Sequence, residues 1–373
     1  MIKILITGDF CPHKRIEKLV MGNRFEDIYN DFLPYLEQND INITNLECPL
    51  TGIKNPIPKN GPNLRAEEES IKALSYGKFN LLTLSNNHIL DQGEQGLLST
   101  IQLCEKNNID FVGAGKNLEG AVKIFFKVIK NKRFAFLNFS ENEFSTAGKD
   151  TAGSSPLNPV INFYNIRLAR KEADYVIVII HGGHEGYPFP SPRMVETYRF
   201  FIDAGADIVV GHHTHCYSGY EKYNEGYIFY SLGNFVFDWD GLRDTDWNYG
   251  YAVKFNIYED SISFDLIPFR QCDGKPGVFL LNTIEREKFD TKLEEINNVI
   301  RNSRLLNQEW NKLVIQRKKL YTVNFEAFNS RIYKSLRFRN LLPGLLSKKK
   351  KHVILNMIRC EAHRDLIIES LKK

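Results

Sequence analysis

A chain of 373 residues with 43% hydrophobic side chains can bury a sizeable core without staples and has room for one large domain plus an appendage, or for two domains. A formal net charge of +4 argues against a dedicated nucleic-acid binder, although Lys and Arg gather toward the C-terminus. The cysteines, at 11, 48, 104, 216, 272 and 360, form no CxxC pair and no disulfide framework, so reduced thiols in a cytoplasmic protein are expected. No signal peptide is read ahead of the first strand, and no apolar run is long enough to span a membrane.

Residues 2–6 read as a buried strand, with Thr7-Gly8-Asp9 at its end. Phe25, Ile28, Tyr29, Phe32, Leu33 and Leu36 recur at helical spacing, which predicts a helix over 25–38. The next strand covers 41–44 and closes with Asn45-Leu46-Glu47. A Pro- and Asn-rich loop over 49–63 is long for a compact domain, so a functional or mobile segment is expected there. A helix over 67–77, a strand over 80–84, the turn Ser85-Asn86-Asn87-His88 and a helix to about Asn107 follow. Another strand covers 134–138, and 140–162 reads as a polar loop with little pattern. A helix near 163–171 precedes the most apolar strand, 175–180, which ends in His181-Gly182-Gly183-His184-Glu185. A helix over 192–204 leads to the run Asp207–Val210, then Gly211 as a sharp turn and His212-His213-Thr214-His215 in an extended segment. The runs 227–237, 251–257 and 261–267 look like antiparallel strands completing a second sheet. From about Glu285 to 320 the composition is that of a charged helix, and a basic tail runs from Arg331 to a final helix ending at Lys373.

The repeated order of strand, polar turn and helix predicts a layered α/β domain whose ligands bind at the carboxyl ends of the strands. Asp9, Asn45 with Glu47, Asn87 with His88, His181, and His213 with His215 all stand at such ends. Asn and Asp are common in turns, so one such end carries little weight, whereas this many on separate strands point to one shared site. Asp9, Glu47, Asn87, His181, His213 and His215 make a mixed oxygen and nitrogen set suited to borderline divalent metals such as Mn, Fe or Zn. They are too many for one catalytic ion with an open position, but they suffice for two ions sharing a carboxylate. Two ions about 3.5–4 Å apart clamp the attacking and leaving oxygens of a phosphoryl displacement. His88 is then placed to protonate the leaving oxygen. The cysteines next to these ligands, Cys11, Cys48 and Cys216, read as small buried filler.

Taken together, Gly8-Asp9, Asn45-Leu46-Glu47, Asn86-Asn87-His88 with Asp91 and Gly93, His181-x-Gly183-x-Glu185, Gly211-x-His213-x-His215 and Ser231-Leu-Gly-Asn-Phe235 resemble the CapA family over about residues 1–270. That family is named for poly-gamma-glutamate capsule biosynthesis and has a calcineurin-like metallophosphoesterase fold. The resemblance implies a two-sheet sandwich flanked by helices, with the domain read as 1–280, and the change of composition beyond it predicts a basic helical C-terminal extension over 281–373. It implies Asp9 and His215 on one metal, Asn87, His181 and His213 on the other, Glu47 as the bridge and His88 as the catalytic histidine. Asn45, His184, Glu185 and Asn234 are expected around the substrate or behind the ligands. The sequence departs from the phosphoesterase pattern at Phe10-Cys11, where Asp-x-His is usual, and at Thr214, where proline is usual.

Two classes of function fit these expectations. One is a dinuclear hydrolase acting on a phosphorylated small molecule or polymer intermediate in capsule or envelope synthesis. The other is a non-catalytic part of a polymer synthesis or export complex, which has no need of a complete ligand set. The tail 331–373 interleaves basic residues with Leu336, Phe338, Leu341, Leu342, Leu345 and Leu346. It is read either as a helical hairpin or as a peripheral contact with the anionic inner face of a membrane. Nucleic acid is disfavoured as its partner because no base-stacking motif accompanies the charge.

Overall fold

The computed structural model describes residues 1–59, 61–322 and 330–348, together with 350, 351 and 354. The chain divides into two compact units, Met1–Leu306 and Asn307–Lys373. The first is an α/β unit with two mixed sheets flanked by helices, as the strand–turn–helix order predicts.

The first sheet is eight-stranded. Its parallel half runs Ile2–Cys11, Ile41–Leu46, Leu81–Thr83 and Asp110–Val112. On its other side Ile2–Cys11 pairs antiparallel with Tyr249–Ile257, which pairs with Ile262–Gln271 and then Val278–Leu280. Asn234–Phe237 joins the far end of Ile2–Cys11 in parallel. The second sheet places Lys132–Ser140, Tyr175–His181, Ile208–His212 and Gly226–Phe229 in parallel, closed by the antiparallel edges Phe125–Ile129 and Tyr220–Tyr223. Alternation along the first strand divides the core: Ile4 and Ile6 belong to the cluster that includes the second sheet, while Leu5 belongs to the cluster beneath Phe32, Leu74 and Phe235. The strand Tyr175–His181 is buried from Val176 to His181, as its continuous apolar run requires of a covered parallel strand.

Several local expectations are corrected. The run 227–237 is two strands belonging to different sheets, broken at Ser231-Leu232-Gly233, and the pair Tyr249–Ile257 and Ile262–Gln271 extends the first sheet, not the second. Periodicity finds extended segments but does not say which partner they choose. The helix expected over 25–38 is Glu26–Tyr29, a 3-10 turn and Leu33–Leu36, because Pro34 has no amide hydrogen to continue the ladder. Within 140–162, Gly153–Ser154 pairs with Ala114–Gly115, and the next helix begins earlier than expected, at Pro159, capped by the Asn158 side chain. Gly211 lies inside the strand Ile208–His212 instead of turning the chain. A Cβ there would sit 2.1 Å from the Tyr230 carbonyl oxygen, so the residue is glycine for close approach.

The charged helical stretch is two helices, Thr283–Arg301 and Ser303–Thr322, parted at Asn302. Phe289, Leu293, Ile296 and Ile300 of the first pack into the sheet core. In the second unit Arg331–Phe338 is helical, with Ile332 and Phe338 exposed. The expected final helix falls largely outside the described residues. Among the described residues no helix is long and apolar enough to cross a membrane.

Candidate metal centre

Both sheets end at one place. Asp9 sits where the first strand shifts register against its neighbours on either side. Gly8 permits this, because a Cβ there would meet the Gly233 carbonyl oxygen at 1.9 Å. Glu47 follows the second strand, and Asn87 and His88 follow the third. His181 is the last residue of its strand, and His213 and His215 follow Ile208–His212. His213 and His215 are not extended. Their φ angles are 91° and 57°, left-handed values that are costly for a side chain with a Cβ. That turn aims both imidazoles back at the cluster, an orientation that alternation along a strand would not produce.

The structure brings together Asp9, Glu47, Asn87, His181, His213 and His215, all of them buried. His181 Nε2 lies 3.0 Å from His213 Nδ1, 3.0 Å from Asn87 Oδ1 and 3.4 Å from Glu47 Oε1. His215 Nε2 lies 3.7 Å from Glu47 Oε1, and its Nδ1 lies 3.8 Å from Asp9 Oδ2. Two groupings result, Glu47–His181–His213 and Asp9–Glu47–His215, with ligand atoms inside each within 4.8 Å of one another. Glu47 is common to both. Neither of its carboxylate oxygens has a hydrogen-bond partner among the described residues, although the side chain is fully buried.

Electrostatics sharpen the point. Burial pushes the Glu47 carboxyl up to about 8. Burial, with Glu47 next to it, raises Asp9 well above the usual carboxylate range. Burial and the neighbouring histidines push His181 and His213 well below the ordinary imidazole value. The acids therefore resist losing protons and the imidazoles resist gaining them. Divalent cations would relieve both, since they bind carboxylate and neutral imidazole. The residues present fit such ions: orphaned carboxylate oxygens face nitrogens at the close spacing that ligands at about 2.0–2.2 Å from a shared ion need.

The surrounding groups hold the ligands in place. Asn45 Nδ2 donates to Asp9 Oδ1 at 2.7 Å and lies 3.2 Å from His181 Nδ1. The His213 amide donates to Asp9 Oδ2 at 3.1 Å. Asn234 Oδ1 lies 2.9 Å from His215 Nδ1, and its Nδ2 donates to the Trp247 carbonyl at 3.1 Å. His88 Nδ1 lies 2.6 Å from Asp91 Oδ2. Glu185 is exposed, yet it groups with His213 and His215 within the same 4.8 Å limit, while neighbouring His184 is half-buried.

Sequence reasoning missed three supports. Asn86 Nδ2 donates to Asn45 Oδ1 at 3.1 Å and to the Leu46 carbonyl at 2.8 Å, tying two site loops together. Lys59, almost fully buried, pairs with Asp91, with its Nζ 3.1 Å from His88 Nδ1. Trp247 packs on His215 at 4.5 Å between ring centroids. Lys59 left a signal in the unusual length of the loop that carries it, and Asn86 in the strand-end turn that it shares with Asn87.

A family described as bacterial capsule synthesis protein PGA_cap matches residues 3–239. The chain belongs to that family. Its PGA_cap relatives include the PGA biosynthesis protein CapA of Bacillus subtilis (strain 168), 37% identical over 299 residues, spanning 78% of this chain and 77% of that one. The capsule biosynthesis protein CapA of Bacillus anthracis is 32% identical over 285 residues, spanning 74% and 69%. Among solved structures, a phosphatase from Mycoplasma pneumoniae aligns with a TM-score of 0.47 at 16% identity, covering 73% of this chain and 95% of that one.

Proposed function

We propose that this PGA_cap protein is a dinuclear metal-dependent phosphoester hydrolase acting in the synthesis of a capsule or envelope polymer. The observation that carries the reading is Glu47, a buried carboxylate with both oxygens unpartnered among the described residues, standing between two histidine groupings. In this reading Asp9 and His215 hold one ion, Asn87, His181 and His213 hold the other, and Glu47 is shared. Divalent ions held there supply Lewis acidity and lower the pKa of water.

The chain's own contribution lies around them. Asp91 sits against His88 Nδ1, which fixes the ring and leaves Nε2 to give a proton to the leaving oxygen. Lys59 pairs with Asp91 and helps to hold it against His88 Nδ1. Asn234 Oδ1 accepts from His215 Nδ1 and orients that ring from behind, as partners of metal-ligating imidazoles do, while Asn45 Nδ2 donates to Asp9. The names of the relatives support a place in polymer synthesis. A purely scaffolding role would leave the Asp91–His88 pair and the full ligand set without a task.

The test is metal analysis of protein purified without chelator, paired with a panel of phosphoester substrates. About two ions per chain and turnover lost on chelation are expected. Metal uptake with no turnover on any phosphoester would favour the scaffold. No uptake of Mn or Zn by stripped protein, with no rise in its melting temperature, would sink the dinuclear reading.

A further inference from the structure

One face of the site is built of rings that the hydrolytic reading does not use. Phe237, Trp239 and Trp247 touch one another, with centroids 5.0–6.2 Å apart. His215 packs on Trp247 and Phe237, so this wall is continuous with a candidate metal ligand. His13 stands edge-on to Phe237 at 5.2 Å and against Trp239 at 5.6 Å. It is only 9% exposed, and its Nε2 has no hydrogen-bond partner among the described residues. A buried imidazole nitrogen with nothing to bond is costly unless a ligand completes it. Burial, with Lys14 beside it, pushes His13 down to about 4, so at neutral pH it is an uncharged hydrogen-bonding group.

The wall is held rigid from outside. Arg15 grips Asp238 at 2.8 and 2.7 Å and donates to the Cys272 carbonyl at 2.6 Å. Trp247 Nε1 donates to the Phe237 carbonyl at 2.9 Å. Trp239 and Trp247 are both half-buried.

The chemistry narrows the ligand. A cation is disfavoured because Lys14 already lies over Trp239, 4.9 Å from the ring centroid, and pairs with Asp240. An anion is disfavoured because the nearest carboxylates, Asp238 and Asp240, repel it and the cations beside them are engaged. A flat base gains most from two parallel ring faces, which these indoles, meeting at 49°, do not offer. What remains is a saturated ring that lays its C–H face on one indole and offers a hydroxyl to a neutral imidazole.

We propose that His13, Trp239 and Trp247 form a sugar-binding wall that seats the glycosyl part of a sugar phosphate while its phosphoryl group enters the carboxylate–histidine cluster. This rests on the phosphoesterase reading and names its substrate class.

The test uses tryptophan emission of the metal-loaded full-length chain, with Trp310→Phe removing the signal from outside the wall. Glucose 1-phosphate should change the emission saturably, while inorganic phosphate and uridine monophosphate should not reproduce the change. His13→Ala should weaken glucose 1-phosphate binding about three- to tenfold, the worth of one neutral hydrogen bond, without changing metal content. Trp239→Leu, on the half-exposed side, repeats the test if His13→Ala folds poorly. Unchanged affinity in both variants, or a response to uridine monophosphate equal to that of the sugar phosphate, would overturn the wall. Saturable sugar-phosphate binding in a protein that turns over no phosphoester would overturn the hydrolase and keep the wall. Turnover of aryl phosphates with no sugar-phosphate response would do the reverse.

Discussion

His88 and Glu47 have separable tasks at the level of single residues. His88 is tied to Asp91 and Lys59 and approaches the reaction only through its outer nitrogen. The variant His88→Ala should keep its metal and its melting temperature yet lose turnover by ~100- to 10,000-fold. Full activity of that variant on a substrate the parent hydrolyses would remove the residue from the chemistry. Glu47 is the opposite case, with neither oxygen hydrogen-bonded among the described residues and its carboxylate common to two ligand groupings. Glu47→Gln keeps the shape and removes the charge, so metal content should fall at both positions together. Retention of one ion at full occupancy would show that the carboxylate is not shared.

The first strand is the element on which the two halves of the site depend. Ile2–Cys11 pairs with three other strands, Ile41–Leu46, Tyr249–Ile257 and Asn234–Phe237, and delivers Asp9 at its bulge. Gly8 is the point of closest approach, facing the Gly233 carbonyl, and Gly233 itself has a φ of 76°. Gly8→Ala forces these strands apart, so overpacking of about 1–3 kcal/mol or more is expected. The denaturant midpoint should fall and metal uptake should weaken with it, because Asp9 moves with the strand. An unchanged midpoint would show that the crossing relaxes freely.

The whole molecule should show the cluster in its response to pH. With Glu47 pushed up to about 8 and Asp9 raised as well, the metal-free fold keeps protons that the unfolded chain has released. His181 and His213 are pushed down, so below about 6.5 the unfolded chain takes up protons that the fold refuses. These effects oppose each other below that pH. Between about 6.5 and 8 only the carboxylates act, and stability falls by up to about 1.4 kcal/mol per pH unit for each retained proton. Stripped protein should therefore melt at progressively lower temperature over that window, and saturating Mn or Zn should abolish the decline. A flat profile in stripped protein would mean the carboxylates ionise freely. The C-terminal unit allows a second whole-chain measurement, since Ile332, Phe338 and Leu341 are exposed among Arg331, Lys334 and Arg339. A membrane-surface role predicts pelleting with anionic vesicles at low salt and not with neutral ones. Negligible pelleting with both would leave these helices as structure alone.

The ligand types, their place at strand ends and the layered α/β architecture were all legible in the sequence, because buried strands read as apolar runs and polar residues cluster where those runs stop. The helix Pro192–Ala204 lies where the sequence places it, with Ser191 as its cap and Pro192 at its first turn. Strand partners were not legible. Asn234–Phe237 and Gly226–Phe229 look like one run, and only packing sends them to different sheets. Nor were the left-handed turns at His213 and His215, which stay uncommon even for histidine and which surrounding contacts hold. Lys59 and Trp247 reach the site across gaps of sequence that carry no periodicity. Local pattern determines which residues can form strands and bear ligands, because side-chain burial repeats along the chain. Which of them meet is decided by long-range packing, because one register shift at Asp9 and one close approach at Gly8 set where both sheets end.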